Sequence, residues 1–146
     1  MSNVKEKSSK ALPEGGINLN FSKSPEIYKF LQSKAFVRAV MGPVGSGKSY
    51  ACCAEIFIKA LQQKPSPIDG IRYSRFAVVR NSYPMLKTTT IKTWLDMFPE
   101  ATFGPMLYTP PITHHIRLPA RDGAAGIDCE VIFLALDQPK DVRKLL

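Results

Sequence analysis

No run of apolar residues in this 146-residue chain approaches the ~18–20 needed to span a bilayer. Its Lys/Ser-rich start lacks an apolar h-region, so no secretory signal is visible. Cysteine is limited to Cys52, Cys53 and Cys129, an odd count without CxxC spacing. That argues against a disulfide framework or a zinc site, and predicts small buried thiols in a reducing cytosol. The two histidines, His114 and His115, are neighbours in an alternating stretch and point to opposite faces of a strand. They cannot jointly ligate one metal and read as structural. Neither a paired-carboxylate site nor a Ser/His/Asp constellation can be assembled. Acids are outnumbered 12 to 20 by Lys and Arg, giving a formal net charge of +8. Between Gly70 and Leu95 there are none, while Arg72, Arg75, Arg80, Lys87 and Lys92 fall in that stretch. This balance favours a polyanionic partner such as a nucleotide or nucleic acid, with a solvated basic face as the plainer alternative.

What the chain does have is Gly42-Pro43-Val44-Gly45-Ser46-Gly47-Lys48-Ser49. A Gly, four residues, then Gly-Lys-Ser is the phosphate-loop spacing. Glycines let the backbone turn tightly with N–H groups inward, so Gly45 to Ser49 can cradle phosphate oxygens. Lys48 would neutralise the outer phosphates and the Ser49 hydroxyl would ligate Mg²⁺. A following helix would add the positive end of its dipole. Chance would produce this pattern in a chain of this length at about the one per cent level or less. The flanks agree with the motif. Residues 35–41 are a short, largely apolar run, expected as a buried strand. Cys53, Ile56, Phe57, Ala60 and Leu61 form one stripe of a helix expected from Gly47 to Gln63. A dinucleotide fingerprint is excluded because the third glycine is missing.

Residues 1–20 read as a flexible arm and 21–146 as part of one α/β domain. Ser24-Pro25 predicts a helix start, with Ile27, Phe30 and Leu31 on one face. Gln32, Tyr28 and Phe30 are candidates to hold a base, against the simpler reading as surface and core residues. Phe76 to Val79 reads as a second buried strand ending at Arg80, where ligands gather in open α/β sheets. Arg80 is therefore a catalytic candidate for the γ-phosphate, in its own subunit or a neighbour's. Ile91, Trp94, Leu95 and Phe98 predict an amphipathic helix over 88–98, followed by a proline-rich loop to residue 111. Glu55 and Lys59 pair at i, i+4 on the outer side of their helix. Alternation over 112–118 and 127–135, with Arg121-Asp122-Gly123 between them, predicts an antiparallel hairpin. The expected fold is a three-layer phosphate-loop NTPase core with a mostly parallel sheet and that hairpin, incomplete as it stands.

A phosphate-loop ATPase also needs an acid at a strand end for Mg²⁺. Leu134-Ala135-Leu136-Asp137 resembles one, but Gln138-Pro139 follows instead of a second acid. Asp141 to Leu146 starts a helix that stops after little more than a turn, so the chain is expected to be the front portion of a longer protein, with the acids beyond Leu146.

Taken together, the stretch from Ala35 to Ser49, Val78-Val79-Arg80-Asn81-Ser82-Tyr83, Leu86-Lys87-Thr88-Thr89-Thr90, Thr93-Trp94 and Phe133 to Asp141 resemble the ATPase half of the large terminase subunit of tailed bacteriophages. The resemblance implies an ATP- and Mg²⁺-dependent motor in the host cytoplasm that pumps double-stranded viral DNA into a procapsid. It would act as a homo-oligomeric ring on the portal protein, with the small terminase subunit as a further partner, and family members also carry a C-terminal nuclease. Some place a basic residue early in the loop as an arginine finger. Here those positions are Pro43 and Val44, which leaves Arg80 or another arginine for that role. The alternatives from other classes are a small-molecule phosphotransferase using the same loop, and a truncated nucleotide binder without turnover.

Overall fold

The computed structural model describes Phe21, residues 24–138, Asp141 and Arg143. The expected arm at residues 1–20 and most of the helix expected from Asp141 lie outside the described residues. Helix α1, Pro25–Gln32, starts where Pro25 fixes φ at the first helical position, and it buries Ile27. Helix α2, Lys48–Gln62, follows Gly47 and ends ahead of Pro65. Its inner stripe is made of small residues, Ala51, Cys53, Ala54 and Ala60, which lets it lie close on its neighbours. Strand β1, Arg72–Arg80, comes next. A continuous helical segment follows, made of α3 (Tyr83–Met85), a π-helical turn (Leu86–Ile91) and α4 (Lys92–Met97). The loop expected after it contains a short helix α5, Glu100–Phe103, and strand β2, Met106–Leu107. Strands β3, Ile112–Leu118, and β4, Ile127–Ala135, complete a four-stranded sheet in the order β1-β4-β3-β2.

The hairpin is as the alternation requires. β3 and β4 pair antiparallel from Ile112 opposite Phe133 to Leu118 opposite Ile127. Its turn has two successive residues of positive φ, Asp122 at 49° and Gly123 at 79°, which matches the twist of the flanking strands. β1 runs parallel to β4, but the other two pairings are antiparallel, so the sheet is mixed rather than mostly parallel. Inward positions of β1, β4 and β3 (Phe76, Val78, Ile127, Cys129, Val131, Phe133, Ile112, His114 and Ile116) meet the helices in one core. On the opposite face Tyr73, Arg75 and Arg117 are exposed, and the charges pair among themselves: Arg75 with Glu130, His115 with Asp128, and Arg117 with Asp128 at 3.3 Å. A sheet face carrying these residues remains solvated, as antiparallel sheets tolerate. Among the described residues there are thus two layers, not the three expected.

The second departure is residues 35–41, which form no strand and leave Phe36, Val37 and Met41 exposed. Arg38 gives the reason. Its Nη1 donates to the Phe30 carbonyl at 3.0 Å, its guanidinium pairs with Glu55, and it lies 5.1 Å from the centre of the Phe30 ring. These contacts tie the segment to α1 and α2 instead of to the sheet. An apolar run becomes a strand only where a ladder partner is offered, and β1 remains the edge of the described sheet.

Helix and sheet are locked by one buried polar contact. The Trp94 indole Nε1–H donates to His114 Nδ1 at 2.8 Å, and His114 Nε2 lies 2.9 Å from the Gly104 carbonyl. Both side chains are fully buried, and Trp94 also meets Phe98 at a tilt and Phe133 edge to face. The bonds require the tautomer with the proton on Nε2, leaving Nδ1 as acceptor. Burial holds the His114 pKa below its ordinary value of about 6.5. The unfolded chain therefore takes up a proton that the folded chain refuses. The stability contributed by neutral His114 is fully present above about pH 6.5 and is lost as pH falls from there through the folded pKa. Urea unfolding should give a lower midpoint at pH 5.5 than at pH 7.5, and His114→Asn should flatten that difference while lowering stability throughout. An equal pH dependence in wild type and variant would rule this origin out.

Candidate functional site

The loop from Gly42 to Ser49 closes on itself around a lysine. Gly45 and Gly47 both take φ of 81°, a conformation open to glycine and strained for other residues. A Cβ on Gly42 would stand 3.0 Å from Ser46 Oγ and 3.9 Å from the Lys48 side chain, so a larger residue there would press on the Ser46 hydroxyl. Lys48 Nζ donates to the Gly42 carbonyl at 2.7 Å and to Ser46 Oγ at 2.9 Å, and also to the Pro43 carbonyl. Its charge is held by dipoles, and no described carboxylate pairs with it. The Ser46 amide is already engaged with the Pro43 carbonyl at 3.3 Å, whereas Ala51 N–H bonding to the Gly47 carbonyl marks the first turn of α2. The amides of Lys48 and Ser49 precede any intrahelical acceptor, and no side chain caps this end. Pro43 and Val44 form the exposed tip of the loop.

Beside the loop lies a cavity of about 520 Å³ between α2, β1 and the helical segment. Lys48, Ser49 and Arg80 all line it, so the two catalytic candidates and the metal candidate share one space. Thr90 and Thr93 add hydroxyl-bearing walls, and Phe30, Val40 and Ile56 supply an apolar end. Of the three base-holding candidates, Phe30 reaches this cavity, while Tyr28 and Gln32 are exposed. The Ser49 hydroxyl has no partner among the described residues. It fits one ligand position of a Mg²⁺ that takes its other oxygens from phosphate and water. Cys52 is on the cavity wall and exposed, contrary to the buried thiol expected, while Cys53 and Cys129 are buried as expected. Burial pushes the Cys53 thiol up to about 12, so it supplies no thiolate.

Asp137 is not at this site. Its carboxylate oxygens accept the Tyr83 N–H at 3.1 and 3.2 Å, capping the helical segment, and it does not line the cavity. The Leu136 N–H bonding to the Arg80 carbonyl at 2.9 Å sets its position at the sheet end, and Tyr83 is the nearer claim on it. Among the described residues no group of three or more His, Cys, Asp or Glu gathers to hold a metal. The uncompensated basic stretch is also partly compensated through folding: Arg75 meets Glu130 on β4, and Arg72 donates to the Gln63 and Ala125 carbonyls.

Glu55 also departs from its expected place. It is buried, not on the outer side of α2, and its main partner is Arg38, with Lys59 at 3.7 Å. Lys59 at i+4 was visible in the sequence, but Arg38, 17 positions away, was not. Neither were Thr90 and Thr93, whose role depends on the position of β1 alongside them. No family model, curated protein or solved structure matches this chain. No helix among the described residues is long and apolar enough to cross a membrane.

Removing one member of a buried ion pair strands the other charge. Glu55→Ala is expected to destabilise the fold by roughly 3 kcal/mol in urea unfolding. Paired with Arg38→Met it should cost clearly less than the sum of the two single changes. Additive losses would show that the pair is not coupled.

Proposed function

We propose that this chain binds ATP with Mg²⁺ at Gly42 to Ser49 and hydrolyses it, as part of a phosphate-loop NTPase core. One observation carries the reading. A turn with positive-φ glycines at 45 and 47 runs directly into the uncapped N-terminus of a 15-residue helix, with a lysine ammonium laid across the turn. Exposed helix-end amides and a cation without a carboxylate partner favour a bound polyanion.

The residues have distinct tasks. The amides of Lys48 and Ser49 point their partial charge at phosphate oxygens. Lys48 leaves the loop carbonyls for the outer phosphates, exchanging weak dipoles for full negative charge. Ser49 would hold Mg²⁺, which when bound would supply charge neutralisation on the phosphate oxygens. Arg80, at the end of β1, lines the same space and offers charge where it builds up in transfer to water. Glu55 is the one carboxylate among the described cavity residues, and Arg38 holds it. No second carboxylate stands among the described cavity residues to direct the attacking water. By the resemblance to large terminase subunits, turnover drives packaging of double-stranded DNA by a ring on the portal protein, with the small subunit as partner.

A second reading is nucleotide binding without turnover, and the use of Asp137 as a helix cap favours it. Equilibrium titration with a fluorescent ATP analogue, with phosphate release measured in parallel, separates the two. Wild type should bind in a Mg²⁺-dependent manner, and Lys48→Ala should weaken binding at least tenfold, by loss of a charge-assisted contact worth about 1.5–3 kcal/mol. Binding without phosphate release selects the second reading. Unchanged affinity in Lys48→Ala removes the assigned site altogether. Stimulation of turnover by double-stranded DNA is the outcome expected of the packaging role.

A further inference from the structure

Arg80 is the one described arginine with a buried nitrogen left unsatisfied. Its Nε is inaccessible to water and has no hydrogen-bond partner. Its Nη2 donates to a neutral hydroxyl, Thr89 Oγ1, at 3.3 Å, and no described carboxylate pairs with it. Arg38, Arg75 and Arg117, by contrast, each meet an acid. A buried guanidinium nitrogen without a partner is costly, and native structures retain such groups where something else completes them. Arg80 lines the cavity that Lys48 and Ser49 also line, so an anion bound there would meet the one cavity arginine that has no described carboxylate.

The bond Arg80 does make leads into an unusual element. Thr89 Oγ1 accepts from Arg80 and donates to the Met85 carbonyl at 2.6 Å. Thr88 donates likewise to the Pro84 carbonyl at 2.9 Å, and Thr93 to the Thr89 carbonyl at 2.9 Å. Hydroxyls returned to the preceding turn loosen a helix, and here the turn is π-helical over Leu86–Ile91. Directly after it stands Trp94, the only tryptophan of the chain, bonded to His114.

We propose that Arg80 senses the terminal phosphate of ATP within its own chain, trading the Thr89 hydroxyl for that phosphate and so shifting the π-helical turn. The proposal rests on nucleotide binding at Gly42 to Ser49, and it assigns to the site a discrimination between tri- and diphosphate. A guanidinium gains more from a phosphate oxygen than from a neutral hydroxyl. The exchange is therefore made for a ligand that reaches Arg80, which the longer triphosphate does and the diphosphate does not. Thr89 then loses its partner, and the change passes along the helix to Trp94.

The test compares Mg²⁺-ATP and Mg²⁺-ADP binding to wild type, Arg80→Ala and Thr89→Val, with Trp94 emission recorded in each titration. Wild type should prefer ATP, and ATP alone should change the emission. Arg80→Ala should retain ADP affinity within about twofold and lose ATP preference by on the order of tenfold. It should also lose the emission change. Thr89→Val, which removes the hydroxyl and keeps the shape, should bind ATP at least as tightly as wild type with a diminished Trp94 response. If Arg80→Ala does not fold, this second variant decides alone: an undiminished response overturns the proposal. An unaltered ATP-to-ADP ratio in folded Arg80→Ala also overturns it. Wild type that binds neither nucleotide overturns the phosphate-loop reading and this proposal with it.

Discussion

The bond from Trp94 to His114 is the contact on which the arrangement of the helical layer depends. The two residues are 20 positions apart and belong to different layers, yet both are excluded from water. A buried indole N–H without an acceptor and a buried imidazole without a donor would each carry a desolvation cost. Satisfying both requires α4 to sit over β3 in one register. Phe98, Phe133 and Phe103 then pack around the pair, with Trp94 and Phe98 rings 4.3 Å apart. Apolar contacts alone would permit several sliding positions of a helix on a sheet; this one polar bond selects among them. Because the helical segment is continuous from Tyr83, fixing Trp94 also fixes where Thr89 to Thr93 meet β1.

The sheet end near Arg80 is held from the other side. Asp137, just past β4, caps the Tyr83 amide, so the same helical segment is anchored at its start by β4 and near its end by β3. Between these anchors lies the π-helical turn, and beside it the cavity. The deformable part of the segment is thus the part that faces Lys48, Ser49 and Arg80. A loosened turn between these two contacts transmits a local change of partner along the segment toward Trp94 instead of moving the whole layer.

Those elements whose signals are local could be read from the sequence. The spacing of Cys53, Ile56, Phe57 and Ala60 produced α2 to within a residue at each end, and the alternation about Arg121-Asp122-Gly123 produced the hairpin with its turn. The glycine loop and Arg80 were singled out by motif and by strand end, and Lys48 and Ser49 of that motif line the cavity together with Arg80. What failed depended on partners distant in sequence. Residues 35–41 have the composition of a buried strand, but Arg38 commits them to Phe30 and Glu55. Glu55 was read as a surface partner of Lys59 because i, i+4 pairing is visible locally and a partner on another segment is not. Asp137 resembles a metal acid at a strand end, but the Gln138-Pro139 that follows argues against that role, and the Tyr83 amide, 54 positions earlier, holds it. The number of layers has no local signal either: whether a strand's second face is covered depends on elements elsewhere in the chain.

The charge excess takes on meaning when the cations are sorted by their partners. Arg38, Arg75 and Arg117 meet acids, and Arg72 is bound to carbonyls at the start of β1. Lys48 and Arg80, on separate elements, have no described carboxylate, and they line the same cavity. Two cations facing a shared space repel each other, and in a partly desolvated cavity that repulsion is stronger than in water. The loop carbonyls around Lys48 and the Thr89 hydroxyl on Arg80 reduce the cost without cancelling the charge. A ligand carrying several negative charges relieves both at once, whereas a singly charged anion satisfies one and leaves the other. The same cavity also holds the Glu55 carboxylate, which is committed to Arg38, so the positive charge left over there is that of Lys48 and Arg80.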